Sequence, residues 1–214
     1  MTFEDRIEAG RRLGEELRAR GIPPESATGL VLGIPRGGVL TAAEVAKVLG
    51  LPLDVALARK VGAPANPELA VGAVGPDGRA TIDEGVARRV GADDRWLAEA
   101  VDRARAEVAD RPRQFRGGRP PLEVEGRVVI VVDDGVATGS TAAAVGRWLA
   151  DARVARSVLA VPVAPPSTAA RLGDVYDEVV TLATPDAFFA VGEFYRDFRQ
   201  VSDDQVCELL EASS

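Results

Sequence analysis

Apolar positions along the chain switch between two periods. Phe3, Ile7, Leu13 and Leu17 recur at helical spacing, with Glu8–Arg12 and Glu16–Arg20 paired four residues apart, and Gly21 to Pro24 closes that helix. Apolar runs of strand length follow at 29–34, 53–58, 128–132, 154–163 and 175–182. Helical spacing returns at 39–49, and on the face marked by Leu97, Val101, Ala104 and Val108, a helix predicted to be over by Pro112. Further helices are predicted at 140–150, after a cap at Ser167, and at 203–211. Leu69–Val74 and Arg79–Ile82 flank Pro-Asp-Gly and read as a hairpin. Residues 59–68, with two prolines, and 116–126 read as loops. Strands alternating with helices predict an α/β fold built on a mostly parallel sheet flanked by helices.

One strand carries unusual punctuation. The stretch VVIVVDDGVATGST, residues 128–141, begins with five β-branched apolar residues, the mark of a strand buried on both faces. It ends in two carboxylates, Asp133 and Asp134, and then in a loop of small residues and hydroxyls. Ligands of open α/β sheets sit beyond the carboxyl ends of strands. A glycine-containing turn that enters a helix aims backbone N–H groups, and the positive end of the helix dipole, at one point. Thr138, Ser140 and Thr141 add hydroxyl donors, so the loop reads as an anion cradle. The carboxylates would repel an anion unless they face a neutral, hydroxyl-rich part of the same ligand, and vicinal ribose hydroxyls meet that condition. The combination predicts a ribose carrying a 5′-phosphate. The competing reading is a simple acidic turn leading into a capped helix.

Composition narrows the choices. The chain has 214 residues, 46% apolar and 28% charged, with a formal net charge of −7, which argues against nucleic acid or an anionic membrane as partner. The absence of histidine removes Ser-His-Asp hydrolysis and imidazole acid–base chemistry. One cysteine, Cys207, reads as packing and fits a reducing compartment. No leader and no apolar run of about 20 residues is seen, so a soluble, cytoplasmic protein is the expectation. Neither Lys47 nor Lys60 follows a glycine as a Walker loop requires, and no G-x-G-x-x-G follows a strand.

The 128–141 stretch resembles the phosphoribosyl pyrophosphate signature of type I phosphoribosyltransferases, and the chain from about Phe3 to Val206 is similar to bacterial members of unassigned acceptor. The resemblance implies one domain over 1–214, with a core of about 25–182, an insertion within 61–127 and a small hood or tail lobe over 183–214. It implies that Asp133 and Asp134 hold ribose hydroxyls and that Gly135, Val136, Ala137, Thr138, Gly139, Ser140 and Thr141 wrap the 5′-phosphate. PRGG, residues 35–38, resembles the family's pyrophosphate loop, giving Arg36, Gly37 and Gly38 a role there; as plain sequence it is a surface turn. RKVGAP, residues 59–64, resembles the start of a mobile loop, so Arg59 and Lys60 would neutralise pyrophosphate, against a reading as solvated charges.

Family chemistry moves the phosphoribosyl group to a nitrogen nucleophile through an oxocarbenium-like transition state. It uses Mg²⁺ brought by the substrate rather than held by the protein alone, with Arg36, Arg59 and Lys60 assisting Asp133 and Asp134. Cues to the acceptor diverge. Ala137 stands where 6-oxopurine enzymes carry an acid. Residues 184–198, by contrast, resemble their base-binding strand, with Phe188 or Phe189 to stack and Glu193 or Asp186 to accept a base N–H. A purine-like base is the leading expectation, and a homodimer follows from family habit. A phosphoribosyl pyrophosphate sensor without catalysis is the alternative, though only about 25 residues precede the first strand and the 111–119 arginine run reads as a solvated connector.

Overall fold

The computed structural model describes residues 1–213; residue 214, the last of the predicted tail, lies outside the described residues. Five parallel strands form the main sheet: β1 (Gly29–Gly33), β2 (Leu53–Val55), β6 (Val128–Val132), β7 (Arg156–Val163) and β8 (Glu178–Ala183), in the order β2-β1-β6-β7-β8. The register pairs Gly33 of β1 with Val132 of β6, so both strands end at one level. Residues that alternate along β6 enter opposite cores. Val128, Ile130 and Val132 pack with Leu13, Val39, Val45 and Val206, whereas Val129 and Val131 pack with Val145, Leu149 and Leu172. Burial on both faces is why this strand reads as an unbroken β-branched run.

The first face is covered by α1 (Arg6–Ala19), α2 (Gly37–Leu49) and α7 (Asp203–Ala212), the second by α5 (Ser140–Asp151) and α6 (Pro166–Leu172). Asp5 starts α1 by accepting from the Glu8 amide at 2.8 Å, and Ser202 with Gln205 forms a reciprocal capping box on α7. A short helix, α6, begins differently from expectation: Pro165 is its cap, and Ser167 lies inside the first turn. Proline's fixed φ and missing N–H suit that entry.

The 61–127 segment makes a lobe of its own. Its antiparallel sheet, β3 (Arg59–Ala63), β4 (Asn66–Val74) and β5 (Ala80–Ile82), packs with α3 (Glu84–Arg89) and α4 (Asp94–Phe115) around Val61, Val71, Val74, Val101 and Val108. Two expectations are corrected here. The predicted loop 59–68 contains all of β3, because Val61 and Ala63 are buried in that core while their neighbours face outward. The helix predicted to end by Pro112 continues to Phe115, whose side chain is 1% exposed and packed in the main core, so tertiary burial outweighs the local breaking signal. One arginine of the 111–119 run departs from the solvated reading. Arg116 Nε bonds the buried Asp54 Oδ1 at 2.7 Å and its Nη2 bonds the Val55 carbonyl at 2.9 Å. Leu122 N reaches Asp54 Oδ2 at 2.9 Å, so the connector, exposed over 117–123, is tied to β2 at Arg116 and Leu122.

Candidate functional site

The sheet reverses direction of growth at β1. One connection leaves β1 for β2, and the other side of β1 is taken by β6, far along the chain. Such a switch point opens a crevice beyond the strand ends. Both marked motifs emerge there, residues 35–38 from β1 and 133–141 from β6. The two touch, which explains the paired glycines. A Cβ on Gly38 would lie 2.8 Å from the Asp133 Cα and Oδ1, and one on Gly37 would collide with the Asp134 Oδ2. The Pro35–Arg36 peptide bond is cis.

A cavity of about 420 Å³ fills the crevice. Its floor is residues 135–141 and its walls include Asp133, Ile34, Pro35, Arg59, Lys60 and Val191. The floor suits an anion. Gly139, at φ 68°, is the residue before α5 and offers no side-chain cap, and the first turn of α5 holds no acid. The leading N–H groups of a twelve-residue helix are therefore left to a ligand. The Thr138 and Ser140 hydroxyls stand 3.0 Å apart in the same turn. From below, α6 braces the loop: Thr168 Oγ1 donates to the Ala137 carbonyl at 2.8 Å and Arg171 Nη2 to the Thr138 carbonyl at 2.5 Å.

The two acids part company. Asp133 lines the cavity, and its Oδ1 accepts from the Asp134 amide at 2.9 Å. Burial, and then the charge of Asp134, holds its carboxyl well above the ordinary carboxylate range. Asp134 does not line the cavity. Its Oδ2 accepts from Arg6 Nε at 2.7 Å, and its carbonyl accepts from the Tyr195 hydroxyl at 2.5 Å. Burial lifts the Asp134 carboxyl as well, and Arg6 offsets part of that. The expectation of two carboxylates on one ligand thus meets a geometry in which only Asp133 lines the cavity.

The cations divide likewise. Arg59 and Lys60 wall the cavity. Arg59 Nη2 meets Glu107 Oε2 at 2.5 Å, while its buried Nε has no hydrogen-bond partner, a donor that an anion would satisfy. Arg36 points elsewhere, to Asp203 Oδ1 at 3.7 Å on α7, so of the 35–38 turn it is Pro35 that reaches the cavity. The aromatic pair is not brought in. Phe188 stacks on Phe194 with centroids 5.2 Å apart, and Phe189 is 85% exposed. Residues 184–198 form turns and a single-turn helix, with Glu193 and Asp186 exposed, rather than the strand the resemblance implied. Val191 from this segment does reach the cavity, and Arg6 and Tyr195 bond Asp134, the neighbour of the cavity-lining Asp133. Sequence reasoning passed over all three. Arg6 looked like one more charge on an amphipathic helix, and Val191 carries no signal beyond its neighbours.

The profile of the family described as phosphoribosyl transferase domain matches residues 20–199. A Mycobacterium tuberculosis protein provisionally named phosphoribosyl transferase is 44% identical over 210 residues, or 98% of this chain. The chain spans 46% of that relative's length. The crystal structure of TT1426 from Thermus thermophilus is 42% identical, with all of both chains covered and a TM-score of 0.82. A hypothetical protein from Neisseria gonorrhoeae, solved with bound ppGpp, shares the fold at 14% identity and a TM-score of 0.50, over 100% of this chain and 96% of its own.

Proposed function

Because the chain belongs to the phosphoribosyl transferase domain family, a family of transferases, we propose that it moves the phosphoribosyl group of phosphoribosyl pyrophosphate to a nitrogenous acceptor, releasing pyrophosphate. One observation carries the reading: Asp133 and the uncapped start of α5 face a single cavity of about 420 Å³. The 5′-phosphate takes the 135–141 loop, the Asp133 carboxyl group accepts from a ribose hydroxyl, and Arg59 and Lys60 face the pyrophosphate. Little covalent help is needed when C1–O cleavage runs ahead of bond formation to nitrogen. The chain's part is to orient the sugar and balance the leaving group's charge.

Among the described residues no group of three or more acidic, histidine or cysteine side chains could cage a metal ion. A Mg²⁺ in this reading arrives with the substrate, held chiefly by its oxygens, and would supply charge neutralisation on pyrophosphate. The acceptor is a purine-like base in this reading. Residues 184–198 leave room for others, since neither Phe188 nor Phe189 lines the cavity. A second reading, a phosphoribosyl pyrophosphate sensor, draws support from Ala137, which puts a methyl group where a base-handling acid would stand.

The deciding experiment follows pyrophosphate release with Mg²⁺ across free bases and small amines. Release with one acceptor class supports the transferase. Tight binding of phosphoribosyl pyrophosphate without release across the panel favours the sensor, and no binding defeats both. Lys60→Ala is expected to lower turnover at least tenfold, about 1.4 kcal/mol, while moving the melting temperature little. Parallel loss of both would make Lys60 structural.

A further inference from the structure

Asp134 is held apart from its neighbour by the first residue of α1. Arg6 has a side chain only 8% exposed, and each of its faces is engaged. Nε donates to Asp134 Oδ2 at 2.7 Å, Nη1 donates to the Arg199 carbonyl at 2.8 Å, and the guanidinium carbon lies 3.8 Å from the Phe198 ring centroid. The planar cation is thereby fixed between a carboxylate, a carbonyl and an aromatic face. It also lies before the stretch, 20–199, that matches the family.

Two adjacent carboxylates withdrawn from water resist ionising together. A cation bonded to one of them relieves that conflict and decides which carboxylate stays available. The other groups facing the pair do not change this division. Tyr195 and Tyr176 have phenols pushed up by burial and stay neutral. Asp197 is bonded to Arg199, and Arg59 and Lys60 stand on the cavity wall.

We infer that Arg6 is a positioning residue of the candidate site: it takes up the Asp134 carboxylate, turns it from the ligand, and leaves Asp133 as the acidic acceptor for a ribose hydroxyl. The inference rests on the reading of the cavity as a ribose 5-phosphate site. Without Arg6 no cation offsets the pair, the two carboxyls share a proton, and Asp133 accepts poorly. Without Asp134, Arg6 is left free to draw on Asp133 instead. Removing both restores the division.

The test is a sign. Ribose 5-phosphate binding is measured by calorimetry for the unaltered chain, Asp133→Asn, Arg6→Gln, Asp134→Asn and the double variant Arg6→Gln/Asp134→Asn. Asp133→Asn and Arg6→Gln are each expected to weaken binding about tenfold or more, and the double variant to bind about fivefold or more tighter than Arg6→Gln. A double variant no tighter than Arg6→Gln overturns the inference, because a sugar ligand at Asp134 would be lost a second time. Should Arg6→Gln unfold, Asp134→Asn against the double variant gives the same sign: relief on adding Arg6→Gln supports the inference, and equal or weaker binding overturns it.

A pH series separates positioning from mere stability. Relative to the unaltered chain, so that the phosphate's own ionisation cancels, Arg6→Gln should gain affinity as pH rises and the shared proton leaves, whereas the double variant should not. A pH-independent deficit in Arg6→Gln would make Arg6 a structural residue only. Failure of the unaltered chain to bind, or of Asp133→Asn to weaken binding, removes the cavity reading itself. A normal Asp133 response with the wrong sign in the double variant removes only the role of Arg6.

Discussion

At the residue scale, Asp133 concentrates both cost and use. Its carboxyl is raised by burial and by Asp134, so the folded chain keeps a proton that the unfolded chain has already released. Its contribution to stability therefore falls as pH rises from the ordinary carboxylate range towards the raised value, and is flat beyond. Asp133→Asn should reduce that slope, leaving the smaller part that the raised Asp134 carboxyl contributes, and raise the melting temperature at neutral pH, while ribose 5-phosphate binding weakens about tenfold, or about 1.4 kcal/mol. Thermal unfolding at several pH values checks the first part, and an unchanged slope in the variant would show that another group titrates. Gly139 is the second demanding residue. Its φ of 68° and a Cβ that would sit 3.0 Å from Leu172 and Thr168 leave alanine strained by roughly 1–2 kcal/mol. Gly139→Ala should weaken phosphate binding along with stability, and a variant that binds inorganic phosphate normally would exclude the loop as the cradle.

At the element scale, a buried contact at Asp54 helps to fasten the connector that follows the lobe to β2. Asp54, with a side chain 6% exposed, accepts from Arg116, Leu122 and Val55, and Arg116 is itself 14% exposed. Asp54→Leu would leave that guanidinium buried and unpaired, which costs about 3–5 kcal/mol. Urea unfolding measures it, and a loss under about 1 kcal/mol would mean that other contacts hold the connector. Prolines and charges in 59–68 and around Pro112 signalled loops, yet β3 and α4 run through them. Burial of Val61, Ala63 and Phe115 against distant partners decides both, and no local window contains those partners.

At the scale of the whole molecule, the cavity belongs to no single motif. It joins the ends of β1 and β6 to β3 of the lobe and to Val191 near the C-terminal end. A ligand that binds only this assembled form must stabilise all of it. Ribose 5-phosphate at about a hundredfold over its Kd should add about 2.7 kcal/mol, a rise of roughly 5–10 °C in melting temperature for a chain of this length. No rise at saturating ligand would place the sugar phosphate elsewhere. Among the described residues no helix is long and apolar enough to cross a membrane.

Local chemistry in the sequence was enough for the parallel sheet, the strand 128–132 and the loop into α5. A strand buried on both faces must be apolar throughout, and an anion cradle must be small and uncapped. The pairing of PRGG with the acids was hidden, although both were visible, because only the β1–β6 register brings their ends level. The orientation of side chains was hidden for a further reason. Asp133 and Asp134 are the same residue type side by side, and what separates them is a guanidinium 128 positions earlier in the chain. Arg36 went to α7 and Phe188 to Phe194 for the same cause: an exposed charge or ring takes the partner that packing supplies.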